Sequence, residues 1–294
     1  MALSRLSELL DAARDGGYAV GYFEAWDTYS LEAVAEAAEA ERAPVVLGFG
    51  GMMMEQGWLD RFGIEPLGAY VRAVADRVDV PAATILNEVW EMDHVRRGVH
   101  AGFGTVMLNT CQLSYEENRD LTKSLVDYAH AHGVEVQAEL GRLPNYGEDE
   151  AFTFTDPVEA RDFVGSTGVD FLAVSIGNVH LRTEGSSPVD LERLRAIRQT
   201  VDIPLVIHGG SGFPQDIVAQ TIQEGVALFH VGSIMKRLYL EQTDAVLKTL
   251  GNAPNVQEWV GSRKGQDFLI PGKQAIREVV CTHMRRYGCA GQAV

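Results

Sequence analysis

Eight short apolar runs alternate with helical patterns along almost the whole of this 294-residue chain, and that alternation most constrains its fold. Most of the runs are continuously apolar, which is typical of strands buried on both faces of a parallel sheet. Strands that alternate with helices indicate βαβ units, and eight such units predict an α/β fold closed into a (β/α)8 TIM barrel. The predicted strands are residues 18–24, 44–50, 81–87, 105–109, 134–140, 171–177, 204–210 and 226–232.

The segments between the predicted strands show the 3.6-residue period of amphipathic helices. Asp156 precedes Pro157, which places a capping side chain before a proline at the first helical position. A doubly wound open sheet is the alternative architecture, but no GxGxxG motif follows the first predicted strand, so a Rossmann fold has little support. The predicted helices include residues 30–41, 117–132, 156–164, 190–199 and 214–224.

No low-complexity tract or Pro/Ser-rich linker divides the chain, so residues 1–294 are predicted to form one barrel domain. Residues 251–272 are the least regular segment and precede a final predicted helix over residues 273–287. We therefore expect residues 251–294 to be a C-terminal helical extension packed on the barrel.

Charge and composition limit the partners and the compartment. The formal net charge is −16 without any cluster of Lys or Arg, so neither nucleic acid nor an anionic membrane surface is an expected partner. The sequence contains no run of eighteen apolar residues, so it predicts no membrane span. The three cysteines show no CxxC spacing, which is typical of a reducing compartment, and we expect a cytoplasmic protein.

Polar and ionisable side chains gather at the carboxyl ends of the predicted strands, where barrel enzymes place their active sites. A barrel without a catalytic or binding role has no reason to end so many strands in such groups. The residues are Glu24, Asn87, Glu88, Asn109, Glu139, Asn178, His180, His208 and His230.

The turn from His208 to Gly212 reads His-Gly-Gly-Ser-Gly and leads into a predicted helix. Glycines let backbone N–H groups approach an anion, and a helix N-terminus attracts negative charge to the same place. Gly232 and Ser233 follow the next strand and complete the position at which such barrels bind phosphate. We predict a phosphate or other anion here; a tight glycine turn without a ligand is the alternative.

His180 and His208 come from neighbouring strand ends beside this turn, which favours a metal site over two hydrogen-bonded structural histidines. Catalytic zinc takes three protein ligands and keeps one position open, and Glu88 can be the third ligand. The remaining histidines lie on predicted helical faces and are expected to be solvated: His94, His100, His130, His132 and His283.

These motifs together resemble the class II, metal-dependent ketose-bisphosphate aldolases. The resemblance rests on GVEVQAELG, DFLAVSIGNVH, IPLVIHGGSG and HVGS in this order and covers nearly the whole chain. It implies a TIM barrel, a divalent metal that is usually zinc, cleavage of a ketose phosphate, and a homodimer or homotetramer. It also implies that His180 and His208 bind the metal, that Glu139 lies near it, and that the substrate phosphate is bound by Gly209, Gly210, Ser211, Gly232 and Ser233.

The third strand departs from the family pattern, which has an aspartate that transfers a proton and a histidine that binds the metal. Asn87 stands in the aspartate's place and cannot transfer a proton. Glu88 stands in the histidine's place and can bind zinc, or magnesium or manganese still better. Three further departures are Asn109 for a common aspartate, His230 for a substrate-binding asparagine, and Leu181 for a glycine.

The sequence therefore predicts a metal-dependent, aldolase-like lyase that acts through an enediolate on a small phosphorylated carbonyl compound. Glu139 and Glu24 are the candidate proton-transfer groups, or Glu88 if it does not bind the metal, and Asn87 completes the predicted catalytic set. Two alternatives stay open. One is an isomerase, epimerase or other enolate-forming enzyme, and the other is a sugar-phosphate-binding protein without aldolase activity.

Overall fold

Eight parallel strands pair edge to edge, and the eighth pairs with the first, so that the sheet closes into a barrel. The computed structural model describes residues 3–145, 153–182, 184–185, 187–249 and 255–293. The predicted (β/α)8 TIM barrel is confirmed. The strands are β1 (Val20–Phe23), β2 (Val45–Gly50), β3 (Ala82–Val89), β4 (Thr105–Leu108), β5 (Glu135–Leu140), β6 (Phe171–Val174), β7 (Leu205–Ile207) and β8 (Val226–Val231).

Helices surround the barrel and extend it at both ends of the chain. They are α1 (Leu6–Gly16), α2 (Thr28–Glu41), α3 (Gln56–Trp58), α4 (Ile64–Ala75), α5 (Met92–Ala101), α6 (Tyr115–Ala131), α7 (Pro157–Thr167), α8 (Leu191–Arg198), α9 (Val218–Gln223), α10 (Ser233–Leu247), α11 (Val256–Trp259) and α12 (Ile270–Arg286). A π-helical turn spans Leu59–Gly63, and 3-10 turns span Gly210–Gly212 and Gln215–Ile217. In the described part of the chain, no helix has the length and apolar character needed to cross a membrane.

Most boundaries differ from the sequence prediction by a few residues, and two of the differences lie at and after β7, beside the cavity. The strand ends at Ile207, before the predicted residue 210, because Gly209 turns the chain with φ +72°. A side chain there would meet the Val179 carbonyl oxygen at 2.3 Å, so only glycine fits. The helix predicted over residues 214–224 begins instead as a 3-10 turn and becomes α-helical at Val218.

The last helix packs on α2 and α10. Gly272 of α12 approaches the Tyr239 ring of α10 so closely that a Cβ would lie 2.6 Å from it. Arg285 pairs with Glu41 of α2 at 2.6 Å, and the Tyr287 carbonyl accepts a hydrogen bond from Ala19 N next to β1. From these contacts we propose that the predicted extension belongs to the same folding unit as the barrel; its residues 251–254 and 294 lie outside the described residues.

Two of the histidines predicted to be solvated are buried, so that prediction is wrong for them. His94 is 1% exposed and lies 2.6 Å from Asp60 Oδ1. His283 is 6% exposed, packs against Phe23 and Tyr287, and has Nδ1 at 2.8 Å from the Val279 carbonyl oxygen. Both lie on helix faces turned toward neighbouring elements, which helical periodicity alone does not distinguish from the solvent face. The other three, His100, His130 and His132, are exposed as predicted.

Candidate active site

A cavity of about 360 Å³ opens at the carboxyl ends of the strands and collects most of the predicted site residues. Residues that were not predicted also line it: Tyr22, Met52, Met53, Val231 and Lys236. The predicted residues in its wall are Glu24, Asn87, Glu88, His180, Leu181, His208, Gly209, Ser211, His230, Gly232 and Ser233.

Four buried side chains converge at this cavity, and three of them line it while the fourth, Glu139, does not. One atom from each of Glu88, Glu139, His180 and His208 lies within 4.8 Å of the corresponding atoms of the others. His208 Nδ1 is 3.0 Å from Glu139 Oε2 and 3.6 Å from Glu88 Oε1. We call these four residues the ligand cluster, because two imidazoles and two carboxylates at such distances are a donor set that a divalent cation accepts.

An irregularity in β3 brings Asn87 and Glu88 to the same cavity. Consecutive strand residues normally point to opposite faces, yet both of these line the cavity. Glu88 has φ +49°, and the register between β3 and β4 shifts between Leu86 and Val89. Such a backbone costs about 1–3 kcal/mol in a residue other than glycine and is concentrated at functional sites. Asn87 Nδ2 donates to Glu88 Oε2 at 2.8 Å and orients the carboxylate.

Hydrogen bonding in the ligand cluster is incomplete among the described residues. Glu139 Oε2 and His208 Nδ1 approach each other closely, but the angles are not those of a hydrogen bond, and neither atom has another partner. On its other side, His208 Nε2 lies 3.0 Å from the Gln137 side-chain amide. As placed, Gln137 Nε2 donates to His208 Nε2, and Gln137 Oε1 has no hydrogen-bond partner among the described residues. Turning the amide over would let its oxygen accept from Nε2–H and would leave the Nδ1 lone pair for the cluster. Buried nitrogen and oxygen atoms that lack hydrogen-bond partners and lie close together are what a metal site without its metal would show.

The carboxylates and imidazoles of the cluster shift each other's pKa values. Burial lowers the pKa of His208, but Glu88 and Glu139 outweigh this effect and raise it to about 10. Burial alone would raise the pKa of Glu88, yet His208, His180 and His230 bring it well below its usual range. In the metal-free protein, a proton on His208 therefore supplies the positive charge that a cation would supply, and the two compete.

Glycines shape the second half of the cavity, which follows β7 and β8. A Cβ at Gly210 would lie 2.7 Å from the His230 carbonyl oxygen, so the two loops meet backbone to backbone. Ser211 Oγ accepts from Ile234 N in the first turn of α10 and joins the two loops. We call this set the glycine cradle, and its members are Gly209, Gly210, Ser211, Gly232 and Ser233.

Leu181 stands at a position where the resembled family usually has glycine, and the backbone conformation there is one that favours glycine. Its φ is +59°, a conformation that glycine adopts freely and leucine adopts at a cost. The leucine therefore keeps the backbone of a glycine and adds a side chain, 38% exposed, to the cavity wall.

Glu24 lies in an ion pair at the cradle. Its Oε1 is 2.6 Å from Lys236 Nζ in the first turns of α10. A Cβ at Gly50 would lie 2.3 Å from Glu24 Oε2, and one at Gly232 would lie 3.4 Å from Glu24 Cβ. The two glycines therefore leave the room that the glutamate occupies.

Three of the predicted strand-end residues do not line the cavity: Glu139, Asn109 and Asn178. Glu139 belongs to the ligand cluster, and the two asparagines have local hydrogen-bonding roles. Asn109 Oδ1 accepts from Cys111 N in the turn after β4. Asn178 Oδ1 accepts from Ile176 N, while its Nδ2 donates to the His208 carbonyl and fixes the end of β7.

Tyr22 and Lys236 are cavity residues that the sequence reasoning missed. Tyr22 stands two residues before Glu24, and the two-residue period of a strand places both on one face. Lys236 stands three residues after Ser233, and the helical period places both on one side of α10. Neither residue stands at the polar end of a predicted strand or in the glycine-rich turns, so the signals that indicate the other site residues do not include these two positions.

Comparisons with known proteins agree with this geometry. The family model described as fructose-bisphosphate aldolase class-II matches residues 4–292. A probable fructose-bisphosphate aldolase of Bacillus subtilis (strain 168) is 33% identical over 298 residues, with all of both chains covered. A fructose-bisphosphate aldolase of Geobacillus stearothermophilus is 32% identical, with 100% of this chain and 99% of that one covered.

The fold is shared with a solved aldolase. The crystal structure of the YdjI aldolase from Escherichia coli K12 superposes with a TM-score of 0.82 at 26% identity, and 100% of each chain is covered. Sequence and fold lead to one conclusion. This chain belongs to the class II fructose-bisphosphate aldolase family.

Proposed function

We propose that the protein is a metal-dependent lyase that cleaves or forms a C–C bond in a ketose-phosphate substrate. The observation that carries the proposal is the placement of the ligand cluster and the glycine cradle in one cavity of about 360 Å³. That volume suits a small molecule with one end at each feature. Membership of an aldolase family supports a lyase of this type.

In this proposal Glu88, Glu139, His180 and His208 hold a divalent cation. A bound cation would supply Lewis acidity there, which would polarise a substrate carbonyl and stabilise the negative charge of an enediolate. Two carboxylates bring more negative charge than a set of three histidines, so zinc, manganese and magnesium are all suited to the donors. The incomplete hydrogen bonding of Glu139 Oε2 and His208 Nδ1 supports the assignment.

The glycine cradle and Lys236 bind the substrate phosphate in this scheme. Glycines let backbone N–H groups approach an anion, and α10 begins at Ser233, within the cradle, where a helix N-terminus favours negative charge. Lys236 adds a positive charge that Glu24 holds in position. His230, in the wall between cluster and cradle, contacts the body of the substrate.

Proton transfer requires a group other than Asn87, whose amide is held by Glu88. We propose Glu24 and Glu139 as the candidates. Glu24 lies in the cavity wall beside the cradle, and Glu139 lies within the ligand cluster. Asn87 then acts by orienting Glu88 and not by moving a proton.

We also propose a cytoplasmic homodimer or homotetramer. The net charge of −16, the three cysteines without CxxC spacing and the family resemblance support this. The expected partner is the small phosphorylated carbonyl substrate, with neither nucleic acid nor membrane involved.

The test is solvent proton exchange on metal-loaded protein. Incubated in D2O with dihydroxyacetone phosphate, the protein should exchange one carbon-bound hydrogen, and added aldehydes should give ketose phosphates visible by NMR. A chelator or Glu139→Gln should stop both reactions. Exchange that yields a rearranged ketose or aldose without an aldehyde product would favour the isomerase or epimerase alternative. No exchange with any member of a broad panel of phosphorylated carbonyl compounds, whichever metal is supplied, would contradict the proposal.

A further inference from the structure

Tyr22 is a buried phenol in the cavity wall without a hydrogen-bond partner. Its side chain is fully buried on β1, and its hydroxyl oxygen has no partner among the described residues. Burial, together with Glu24 and Glu88, raises the pKa of Tyr22 well above its usual value. The hydroxyl therefore keeps its hydrogen near neutral pH and is a donor in need of an acceptor.

His230 is the direct neighbour of Tyr22 on β8 and is also without partners. The two residues are paired in register, and their rings meet edge to face with centroids 4.6 Å apart. Neither ring nitrogen of His230 has a hydrogen-bond partner in the described part of the chain.

The position of this pair places it against the ligand cluster. The His230 ring stacks on the His208 ring with centroids 4.3 Å apart and planes inclined by 21°. Tyr22 lies on the other side of His230, and it is close enough to Glu24 and Glu88 for their negative charges to raise its pKa. The pair therefore lies between the ligand cluster and the ion pair of Glu24 with Lys236.

Packing alone does not account for the hydroxyl of Tyr22. A phenylalanine would make the same edge-to-face contact with His230 without burying a polar atom that lacks a partner. Unsatisfied buried polar groups are rare in native structures and call for an explanation. Here the Tyr22 side chain lines the substrate cavity, and the fold gives its buried hydroxyl no acceptor, so a bound ligand is the acceptor that we assign to it.

We propose that Tyr22 is a further substrate-contacting residue, whose hydroxyl donates a hydrogen bond to an enediolate oxygen of the bound substrate. This inference rests on the proposed function, because it needs a substrate that forms an enediolate at the ligand cluster. It adds a neutral donor to the recognition of that oxygen. It also predicts that Tyr22 distinguishes enediolate-like ligands from phosphorylated alcohols, which share only the phosphate.

The experiment compares two ligands and three proteins by calorimetry on metal-loaded protein. Phosphoglycolohydroxamate mimics the enediolate, whereas glycerol 3-phosphate carries the phosphate alone. In Tyr22→Phe we expect affinity for the hydroxamate to fall about tenfold, the loss of one hydrogen bond, and affinity for glycerol 3-phosphate to stay within about twofold. The melting temperature should not fall, because no partner in the fold is lost.

Tyr70→Phe is the matched control. Its hydroxyl donates to Glu32 at 2.9 Å outside the cavity, so the variant should lower the melting temperature and leave both affinities unchanged. Unchanged hydroxamate affinity in Tyr22→Phe, an equal loss for both ligands, or a lower melting temperature of that variant would overturn the role of Tyr22 alone. Wild-type protein that binds neither ligand would overturn the proposed function together with it.

Discussion

Two glutamates on one strand of this barrel show how position separates structure from chemistry. Glu135 and Glu139 lie four residues apart on β5 and are 1% and 4% exposed. Glu135, at the amino end, accepts hydrogen bonds from Leu6 N, Ser7 N and Arg5 Nε. Glu139, at the carboxyl end, has one carboxylate oxygen without any partner among the described residues.

The two carboxylates differ in what balances their negative charge. Glu135 satisfies the unpaired N–H groups at the start of α1 and is in turn stabilised by the helix dipole. Glu139 Oε2 lies 3.0 Å from His208 Nδ1 and has no hydrogen-bond partner among the described residues, so we expect a cation or a proton at the ligand cluster to balance its charge. In TIM barrels, the amino ends of the strands serve stability and the carboxyl ends hold the active site. Glu135 illustrates the first role, and the role that we propose for Glu139 illustrates the second.

The largest effect that can break this comparison is expected at Glu139. Removing a metal-binding carboxylate should weaken metal affinity by more than the ~10–100-fold typical of outer-shell partners. Glu139→Gln should therefore lose its metal in competition with a chelator and lose catalysis with it, while Glu135→Gln keeps both. Elemental analysis after chelator dialysis measures this. Equal metal content in the two variants would show that the comparison is wrong.

The reverse effect, on stability, is expected at Glu135. Glu135→Ala leaves the first N–H groups of α1 without acceptors, and hydrogen bonds to a charged group are worth ~1.5–3 kcal/mol each. We expect the free energy of unfolding to fall by about 3 kcal/mol, measured by urea denaturation. Metal content should stay that of the wild type. A variant of wild-type stability would contradict the structural role.

Two buried histidines, His208 in the ligand cluster and His283 in α12, differ in the same way, and the pH dependence of stability tests the difference. His208 faces two carboxylates, whereas burial lowers the pKa of His283 from 6.5 to about 4. The unfolded state thus binds the proton more readily, and stability falls as the pH falls from about 6.5 to 4. Between pH 7 and 5 the loss due to His283 should be about 2 kcal/mol. Denaturation curves of His283→Gln should lack this part of the acid sensitivity, and an identical pH dependence would refute the assignment.

The smallest expected effect concerns Asn87 and Glu88. Asn87→Asp places a second carboxylate where the amide now donates to Glu88 at 2.8 Å. In the metal-free protein at pH 7, we expect this like-charge contact to cost about 1 kcal/mol of stability. Adding Glu88→His should recover that loss, because the aspartate then faces an imidazole. A double variant whose loss is the sum of the single losses would show that the two side chains do not interact.

The barrel was predictable because buried parallel strands and amphipathic helices leave distinct periods in the sequence. The ligand cluster was predictable in part, since His180, His208 and Glu88 all stand at or just after strand ends. That Glu88 and Asn87 face the same cavity depends on a left-handed backbone at φ +49° and a register shift, which leave no signal in residue types. Tyr22 was missed because a tyrosine inside an apolar run reads as core.

The buried histidines show a different limit. His94 and His283 lie in helices with polar neighbours in sequence, and only the packing of α5 and α12 against other elements buries them. A tertiary contact overrode the local pattern in both cases. By the same logic, Glu139 could be placed at a strand end from the sequence, but the missing partner of its carboxylate oxygen required the structure.

The most direct test of the account is the position of a bound metal. Crystals of the protein grown with zinc or manganese should show one anomalous-scattering peak at the carboxyl end of the barrel. We predict it within ~2.0–2.3 Å of ligand atoms from Glu88, Glu139, His180 and His208. A peak bound by other residues, or crystals that take up neither metal at this cluster, would contradict the central claim.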